Sequence, residues 1–314
     1  MTAPTCLVIG TGRMAGGFVA PVLRAAGWGV TLAGRDESVV RAIDGPRGIW
    51  LNIAGANGDR WVDGIGAVAL DDPDLPRLAA DADLIATAVG PTALGSVGRL
   101  LAPMLEARFR ARGCPVNIVT FENHRRAPEL LAGGLLETEP SLSREIGRRL
   151  GIAGAVVWRV IARREVGERG VRYVANDESE CRVDALSLLP GVPPRDGSAP
   201  GLEMARSFDD HMVEKLWVFN AGHCAAAYLG WAAGYATVDA AMAEPAIQSA
   251  VATVVAEARV ALDAHLAGRP GSLPLPDRSL AAILACYADP VMSDPVERVA
   301  REPRRKLAPD DRLI

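Results

Sequence analysis

The first half of the chain contains short segments that are apolar at every position, separated by longer segments with a helical pattern. The first apolar run is Cys6–Ile9, and others lie at Val30–Ala33 and within 82–94 and 115–123. Parallel strands covered on both faces have such continuous apolar runs, whereas half-exposed strands alternate. Residues 95–112, between two of the runs, are long enough for a helix. This order of elements predicts an α/β fold with a doubly wound, mainly parallel sheet.

The pattern changes twice in the second half. Residues 155–189 alternate apolar and polar positions, which predicts two or three further strands that close the sheet. Residues 190–201, PGVPPRDGSAPG, are rich in proline and glycine and predict a domain boundary. Helical patterns with many small residues follow over 209–234, 236–267 and 277–287. We therefore expect one domain over residues 1–189 and a mainly α-helical substrate domain over residues 190–314.

A glycine-rich stretch, GTGRMAGG, follows the first predicted strand directly. Gly10 would make the tight turn, Gly12 would let the backbone approach a pyrophosphate, and Ala15 is the small residue needed where helix meets strand. Because the stretch lies between a strand and a helix, it predicts a dinucleotide-binding site. The alternative is a glycine-rich turn that binds no ligand. The first domain is thus predicted to be a Rossmann-type doubly wound sheet.

The cofactor is predicted to be NADP or NAD, with the residues after the second strand favouring NADP. Domains that bind NAD have an acid at this point to hold the ribose 2′-hydroxyl. Here Gly34 leaves room and the Arg35 guanidinium suits a 2′-phosphate. Alternatively, Asp36 is the acid and Arg35 is a solvated loop charge. The predicted cofactor-binding residues are Gly10, Thr11, Gly12, Arg13, Met14, Gly34, Arg35, Ala88, Val89, Gly90 and Asn123.

Composition narrows the class of protein further. The net charge is −4, and no basic stripe indicates nucleic-acid binding. The sequence contains no run of 18 apolar residues, so no membrane span is predicted. The first strand begins too early to leave room for a signal peptide. The cysteines are odd in number and scattered, which favours reduced thiols and a cytoplasmic location over a disulfide framework or a metal site. They are Cys6, Cys114, Cys181, Cys224 and Cys286.

Lysine is rare in this chain, with only Lys215 and Lys306 among 34 basic residues. A guanidinium does not release its proton in proteins, whereas an ammonium can when burial disfavours its charged form. Lys215 is therefore a candidate general base. Lys306 is predicted to be structural, with its charge packed against Asp310 or Asp311.

Lys215 shares its predicted helix with two further polar residues, Asn220 and His223. At 100° per residue the three lie within about 140° of arc, so they can face one ligand. Burial of three polar groups among apolar neighbours is unfavourable without partners or a function. The alternative is a solvated lysine and a histidine of the core. In the first domain, Asn123 follows a buried strand at the edge where ligands bind, although its position taken alone favours a turn residue or the cap of the next helix.

The stretch KLWVFNAGHCAAAYLG resembles the signature of the polyol-specific long-chain dehydrogenases. GTGRMAGGF, TAVGPTAL, FEN, AVVWRVI and DPVERVAREPRRKLAPDDRL are similar to that family in the same order. The resemblance implies a metal-independent, NAD(P)-dependent oxidoreductase that interconverts a secondary alcohol and a ketone. It also implies that Lys215 is the base, that Asn123 and Asn220 polarise the reacting oxygen, and that His223 orients the substrate.

The chain departs from the family pattern at several positions. Gly34 and Arg35 stand where an acid is usual, Trp158 stands where an aspartate is usual, and the pair Cys286-Tyr287 replaces a typical Arg-Phe. The substrate therefore stays open between a polyol, a sugar phosphate and a cyclitol-like compound. Other two-domain reductases, of the 2-keto acid or glycerol-3-phosphate type, and a non-catalytic nucleotide-binding regulator are the alternatives. Monomer and dimer are not distinguished.

Overall fold

A computed structural model describes residues 3–54, 56, 58–111, 113–267, 269 and 278–307. Contacts between residues divide the chain into two compact units, Met1–Phe208 and Asp209–Ile314. The strands in the first part of the chain are β1 (Thr5–Ile9), β2 (Gly29–Gly34), β3 (Gly48–Ile53), β4 (Asp59–Asp63), β5 (Ile65–Ala69) and β6 (Leu84–Thr87). The later strands are β7 (Val116–Thr120), β8 (Leu150–Val157), β9 (Ile161–Gly167), β10 (Gly170–Ala175), β11 (Cys181–Asp184) and β12 (Leu202–Ala205).

The main sheet of the first unit has eight strands in the order β12-β11-β8-β7-β6-β1-β2-β5. All of its pairings are parallel except that of β11 with β8. Successive residues of β1 pack into different apolar clusters, with Cys6 and Val8 in one and Leu7 and Ile9 in the other. Both faces of the sheet are therefore covered, which explains the continuous apolar runs. The predicted Rossmann-type architecture is confirmed.

Helices of the first unit connect these strands. They are a π-helical segment (Ala15–Val19) that continues into α1 (Ala20–Ala25), α2 (Glu37–Asp44), α3 (Leu75–Asp81), α4 (Leu94–Ala111) and α5 (Ala127–Thr138), with 3-10 turns at Pro91–Ala93 and Pro140–Arg144.

A second sheet of four strands, in the order β4-β3-β10-β9, is also part of the first unit. β10 pairs in parallel with β3, so that Tyr173 lies opposite Leu51. The expectation that the strands of residues 155–189 close the main sheet holds for β8 and β11 but is wrong for β9 and β10. Alternation of apolar and polar residues identifies a strand, but it does not identify the partner of that strand.

The boundary between the units lies later in the chain than the predicted position at 189/190. β12 lies beyond the proline- and glycine-rich stretch, and it pairs in parallel with β11 at Cys181 and Leu202. Residues 190–201 therefore connect two strands of one sheet. Phe208 still packs on the first unit, because a Cβ at Gly154 would lie 2.5 Å from its ring.

The second unit is helical, as predicted. Its helices are α6 (Phe208–Glu214), a π-helical segment (Lys215–Asn220), α7 (Ala221–Ala232), α8 (Val238–Met242), α9 (Pro245–Ala267), α10 (Leu280–Ala288), α11 (Val296–Val299) and α12 (Pro303–Lys306). The helix predicted over 236–267 is interrupted before Pro245, whose ring removes a backbone donor and suits a helix start. Small residues let the helices approach closely, since a Cβ at Gly230 would lie 2.7 Å from that of Ala241. None of the described helices is long and apolar enough to cross a membrane.

Candidate functional site

Gly10 joins the ends of three strands. Its φ of +127° is a conformation that side chains rarely permit, and a Cβ there would lie 2.5 Å from the carbonyl oxygen of Ala88. Its N–H donates to the carbonyl of Ala33 over 2.7 Å. Gly10 thus makes the tight turn expected of it, and the turn places β1, β2 and β6 side by side.

The space around Gly12 indicates whether this turn can accept a dinucleotide. A Cβ at Gly12 would meet its nearest protein atom, the Ala88 carbonyl oxygen, at 3.6 Å, which is an ordinary contact. Packing of the protein therefore does not require a glycine here. The missing side chain leaves space beside the start of the helix that contains Arg13 and Met14. This space is where a pyrophosphate approaches the backbone in a Rossmann domain, so the residues present fit the cofactor.

Residues of the four-stranded sheet support the same turn. The Thr11 carbonyl accepts hydrogen bonds from the Tyr173 hydroxyl and from Arg164 Nη1, each over 3.1 Å. In return, Arg13 Nη1 donates to the Ala162 carbonyl over 3.0 Å. A Cβ at Gly16 would overlap the Tyr173 ring, at 2.1 Å. Sequence reasoning missed these supports, because residues about 150 positions away leave no signal in the local spacing.

At the end of β2, the structure differs from the expectation for Gly34 and is compatible with that for Arg35. A Cβ at Gly34 would lie 2.5 Å from Thr11 Cγ2, so the room that Gly34 leaves is filled by Thr11 and the expectation of space for a ligand there is wrong. Arg35 is exposed, and no described residue forms a hydrogen bond or ion pair with its side chain. A cation that no described residue pairs with is suited to bind an anionic ligand.

Asp36 caps the helix that follows. Its Oδ1 accepts hydrogen bonds from the hydroxyl of Ser38 over 2.6 Å and from the backbone N–H groups of Ser38 and Val39. The hydrogen bond from the Ser38 side chain, with those from the backbone, lowers the pKa of the Asp36 carboxyl. This engagement as the N-cap of α2 argues against Asp36 as the acid that holds a ribose.

Glu122 organises the loop after β6. One carboxylate oxygen accepts from the Thr87 hydroxyl over 2.8 Å, and the other accepts from the Val89 N–H over 2.9 Å. Burial raises the pKa of Glu122, and these hydrogen bonds oppose that rise. The carboxylate therefore fixes the predicted cofactor-binding segment of Ala88, Val89 and Gly90 against the end of β7.

Asn123 follows Glu122 at the carboxyl end of β7 and is exposed. The N-cap of α5 is Arg126, so Asn123 does not cap that helix. Within the described part of the chain, its side-chain amide has no hydrogen-bond partner. Asn123 therefore lies, together with the predicted cofactor-binding residues, in the first unit, and its amide is available to a ligand.

Lys215, Asn220 and His223 lie on one continuous helix of the second unit. Lys215 is 5% exposed and Asn220 8%. The helix is π-helical between them, where the Ala221 N–H reaches back five residues to the Leu216 carbonyl. Because a π-helix bonds residue i to residue i+5, Asn220 lies about one turn above Lys215. The two side chains are therefore more nearly aligned than the α-helical prediction of 140° implied.

The Asn220 amide is a buried donor. Its Nδ2 has no hydrogen-bond partner among the described residues. A buried donor without an acceptor destabilises a protein by about 1–3 kcal/mol. Such a group is uncommon unless a ligand supplies the acceptor.

His223 is oriented by residues that were assigned no role from sequence. Its Nε2 lies 3.5 Å from Oδ2 of Asp294, a buried carboxylate that Arg298 Nε also contacts at 2.5 Å. The Tyr287 ring stacks on the imidazole, with centroids 5.3 Å apart and planes 6° apart. The only local signal was the i,i+4 spacing of Asp294 and Arg298, which favours an ion pair on a helix.

Two further residues of interest have structural surroundings. Lys306 is buried and its Nζ donates to the Val299 carbonyl, while the predicted partners Asp310 and Asp311 lie outside the described residues. Trp158 is 2% exposed. Within the described ranges, no group of three or more His, Cys, Asp or Glu side chains is arranged to hold a metal ion.

Comparison with protein families gives two matches that cover most of the chain. The model of the mannitol dehydrogenase Rossmann domain matches residues 4–180. The model of the mannitol dehydrogenase C-terminal domain matches residues 208–314. The two matches follow one another as the two structural units do.

Individual relatives agree with these matches. The chain is 28% identical over 310 residues to the mannitol-1-phosphate 5-dehydrogenase of Geobacillus thermodenitrificans (strain NG80-2), covering 97% of this chain and 78% of the relative. Its fold is similar to Pseudomonas fluorescens mannitol 2-dehydrogenase in complex with NAD and D-mannitol, with a TM-score of 0.73, 16% identity and coverage of 95% and 71%. A substrate-free D-sorbitol dehydrogenase gives a TM-score of 0.74, 16% identity and coverage of 97% and 74%. The chain therefore belongs to the mannitol dehydrogenase family and is a dehydrogenase that acts on CH–OH groups.

Proposed function

We propose that the protein is a metal-independent, NAD(P)-dependent oxidoreductase that interconverts a secondary alcohol and a ketone on a polyol-like substrate, with Lys215 as general base and acid. The observation that carries this proposal is the buried Asn220 amide, which lacks an acceptor among the described residues and lies one π-helical turn from Lys215. A donor and a base on one side of a helix are the two groups that the oxygen of a reacting alcohol requires.

In the oxidative direction, the neutral amine of Lys215 takes the hydroxyl proton of the substrate. A nicotinamide cofactor held by the first unit would supply the acceptor for the hydride. The amides of Asn220 and Asn123 donate hydrogen bonds to the oxygen as charge develops on it. His223, oriented by Asp294, holds the substrate in position. In the reductive direction, the ammonium of Lys215 returns the proton to the same oxygen.

Lysine and asparagine together supply what a metal ion supplies in other alcohol dehydrogenases, namely proton transfer and stabilisation of negative charge on oxygen. We infer metal independence on this ground. Activity should accordingly survive exhaustive treatment with EDTA, and restoration of lost activity by Zn²⁺ would contradict the inference.

For the cofactor we favour NADP. Gly10, Thr11 and Gly12, with the helix start at Arg13 and Met14, would hold the pyrophosphate. Arg35, which pairs with no described residue, would bind the 2′-phosphate, since Asp36 is engaged as a helix cap. The segment Ala88–Gly90 would contact the nicotinamide half.

The names of the relatives, which specify mannitol, mannitol 1-phosphate and sorbitol, support a proposal of substrate class. We propose a polyol, a sugar phosphate or a cyclitol-like compound for this chain. We further propose a cytoplasmic location, which the five cysteines support because none of them is in a disulfide.

The proposal is tested first by NADPH and NADH oxidation across ketoses, their phosphates and cyclic ketones. At least one of these compounds should support turnover that Lys215→Arg lowers by about 10²-fold or more, because a guanidinium cannot act as the base. Binding of nucleotide, measured by fluorescence, should be unchanged in this variant. The oxidation rate of the unmutated protein should also rise with pH through one ionisation. Near-normal turnover of Lys215→Arg with its best substrate would show that Lys215 is not the base.

A further inference from the structure

Arg164 reaches the glycine-rich turn from outside the main sheet. It lies on β9 of the four-stranded sheet, and its Nη1 donates to the Thr11 carbonyl over 3.1 Å. This bond uses one of the five N–H donors of a guanidinium. The side chain is otherwise exposed, so most of its donors face solvent at the turn.

The same guanidinium acts on the end of β2. Hydrogen bonds from Ser38 and Val39 are the main causes that lower the pKa of Asp36, and the charge of Arg164 contributes to the same lowering. Arg164 therefore lies within electrostatic reach of Asp36, and Arg35 is the neighbour of Asp36 in the chain. The carboxyl end of β2 thus combines two arginines with one carboxylate that is already bound by a helix.

In a Rossmann domain this end of the second strand meets the 2′ substituent of the adenosine ribose. A carboxylate there accepts a hydrogen bond from a 2′-hydroxyl, whereas guanidinium groups bind a phosphate through charge-assisted hydrogen bonds. Each guanidinium can donate two hydrogen bonds to a phosphate, so two of them from different elements would neutralise more of its charge than one.

We propose that Arg164 is a second residue that determines cofactor specificity, and that it binds the 2′-phosphate of NADP(H) together with Arg35. This inference rests on the proposed function, because it takes a nicotinamide dinucleotide as the ligand of the first unit. It also gives the four-stranded sheet a role in ligand selection.

Arg163 is the matched control. It precedes Arg164 on β9, and successive side chains of a strand point to opposite faces. Its Nε lies 3.3 Å from Oε1 of Glu165. Arg163→Ala therefore removes the same charge from the same strand without removing the guanidinium at Thr11.

The experiment is calorimetric titration of the full-length protein with adenosine 2′-monophosphate and adenosine 5′-monophosphate, which needs no turnover. Arg164→Ala should weaken binding of the 2′-phosphate by about 10-fold or more, the size of a lost charge-assisted hydrogen bond. Binding of the 5′-phosphate should change by less than about 2-fold, and Arg163→Ala should change neither. NADPH and NADH titrations should repeat this difference.

Two outcomes would overturn the inference. Equal losses for both monophosphates would mean that Arg164 only supports the turn, and a wild-type preference for NADH over NADPH would mean that the site does not select for a 2′-phosphate. Either outcome leaves the proposed reaction intact. By contrast, failure of the unmutated protein to bind any nicotinamide dinucleotide would contradict the proposed function itself.

Discussion

At the scale of single residues, we expect Asn220 to contribute to turnover but not to the stability of the fold. Asn220→Ala removes a buried donor that no described residue satisfies. Turnover should fall by about 10²–10³-fold, as for loss of one donor to a developing oxyanion. The free energy of unfolding should not fall by the amount typical of a lost hydrogen bond, since no such bond is present among those residues.

Steady-state kinetics and urea unfolding of the same preparations check both parts. A variant that keeps its turnover, or one that becomes unstable and loses nucleotide affinity, would show that Asn220 holds the helix in place and does not act on substrate.

The raised pKa of Glu122 predicts that the stability of the protein depends on pH. Burial raises its pKa in the folded protein above the ordinary value of 4.5, so the folded state holds a proton that the unfolded state has released. The contribution of Glu122 to stability is thus full below about pH 4.5 and declines as the pH rises through the raised value. Glu122→Gln should remove this decline while keeping both hydrogen bonds, because the Thr87 hydroxyl can turn to accept from the amide.

The measurement is the difference in unfolding free energy between wild type and Glu122→Gln from pH 4 to pH 8. The unfolding free energy of the variant should increase relative to that of wild type as the pH rises. A difference that is constant with pH would contradict the raised pKa.

Residue types and their spacing predicted part of the candidate site from sequence. The rarity of lysine and the spacing of Lys215, Asn220 and His223 selected a helix that the structure confirms. Contacts made by distant residues were not accessible in this way. Thr11 fills the room at Gly34, and Asp294 orients His223 from 71 positions away. Both depend on packing that only the folded chain creates.

At the scale of elements, the π-helical segment before α7 is associated with a side chain that bonds to the helix backbone. The Tyr287 hydroxyl donates to the Phe219 carbonyl over 2.6 Å and accepts from the His223 N–H. These are the two groups that an α-helix pairs directly. A Cβ at Gly222 would lie 2.8 Å from the same hydroxyl, so the glycine makes the approach feasible. Side chains that enter the hydrogen-bond ladder are a known cause of such irregularities.

Tyr287→Phe keeps the ring that stacks on His223 and removes the hydroxyl that bridges the helix. Turnover should fall by about 10-fold or more, because misplacement of groups by about 1 Å has effects of up to 10²-fold. Nucleotide affinity should stay unchanged. Tyr235→Phe, a loss of hydroxyl elsewhere in the second unit, is the control and should have no effect on turnover.

A crystal structure of Tyr287→Phe gives a second readout. The distance between the Phe219 carbonyl and the His223 N–H should shorten to that of a direct α-helical bond. Unchanged turnover together with an unchanged π-helical segment would show that the hydroxyl does not shape this helix. Sequence periodicity assumes 100° per residue, so it had no means of detecting the irregularity.

At the scale of the whole molecule, the order of apolar runs predicted the Rossmann-type sheet and the helical unit, because parallel strands and packed helices leave clear patterns. The boundary was placed too early, since a proline- and glycine-rich stretch also connects two strands of one sheet. The pairing of β12 with β11 allows a test of the two boundary positions, 189/190 and 208/209. A fragment of residues 1–208 should fold and bind nucleotide.

A fragment of residues 1–189 lacks β12 and leaves β11 as an exposed edge, so it should aggregate or unfold at lower denaturant concentration. Size-exclusion chromatography and urea unfolding distinguish the two fragments. Equal stability would mean that β12 adds nothing to the sheet.

The parallel pairing of β3 with β10 also sets the order in which the chain can fold. β3 leaves the ribosome more than a hundred residues before its partner β10, and such distant pairings form slowly. Arg164 and Tyr173, which support the Thr11 carbonyl, arrive with β9 and β10. The glycine-rich turn lies near the start of the chain, yet it is among the last features of the first unit to reach its final form during synthesis.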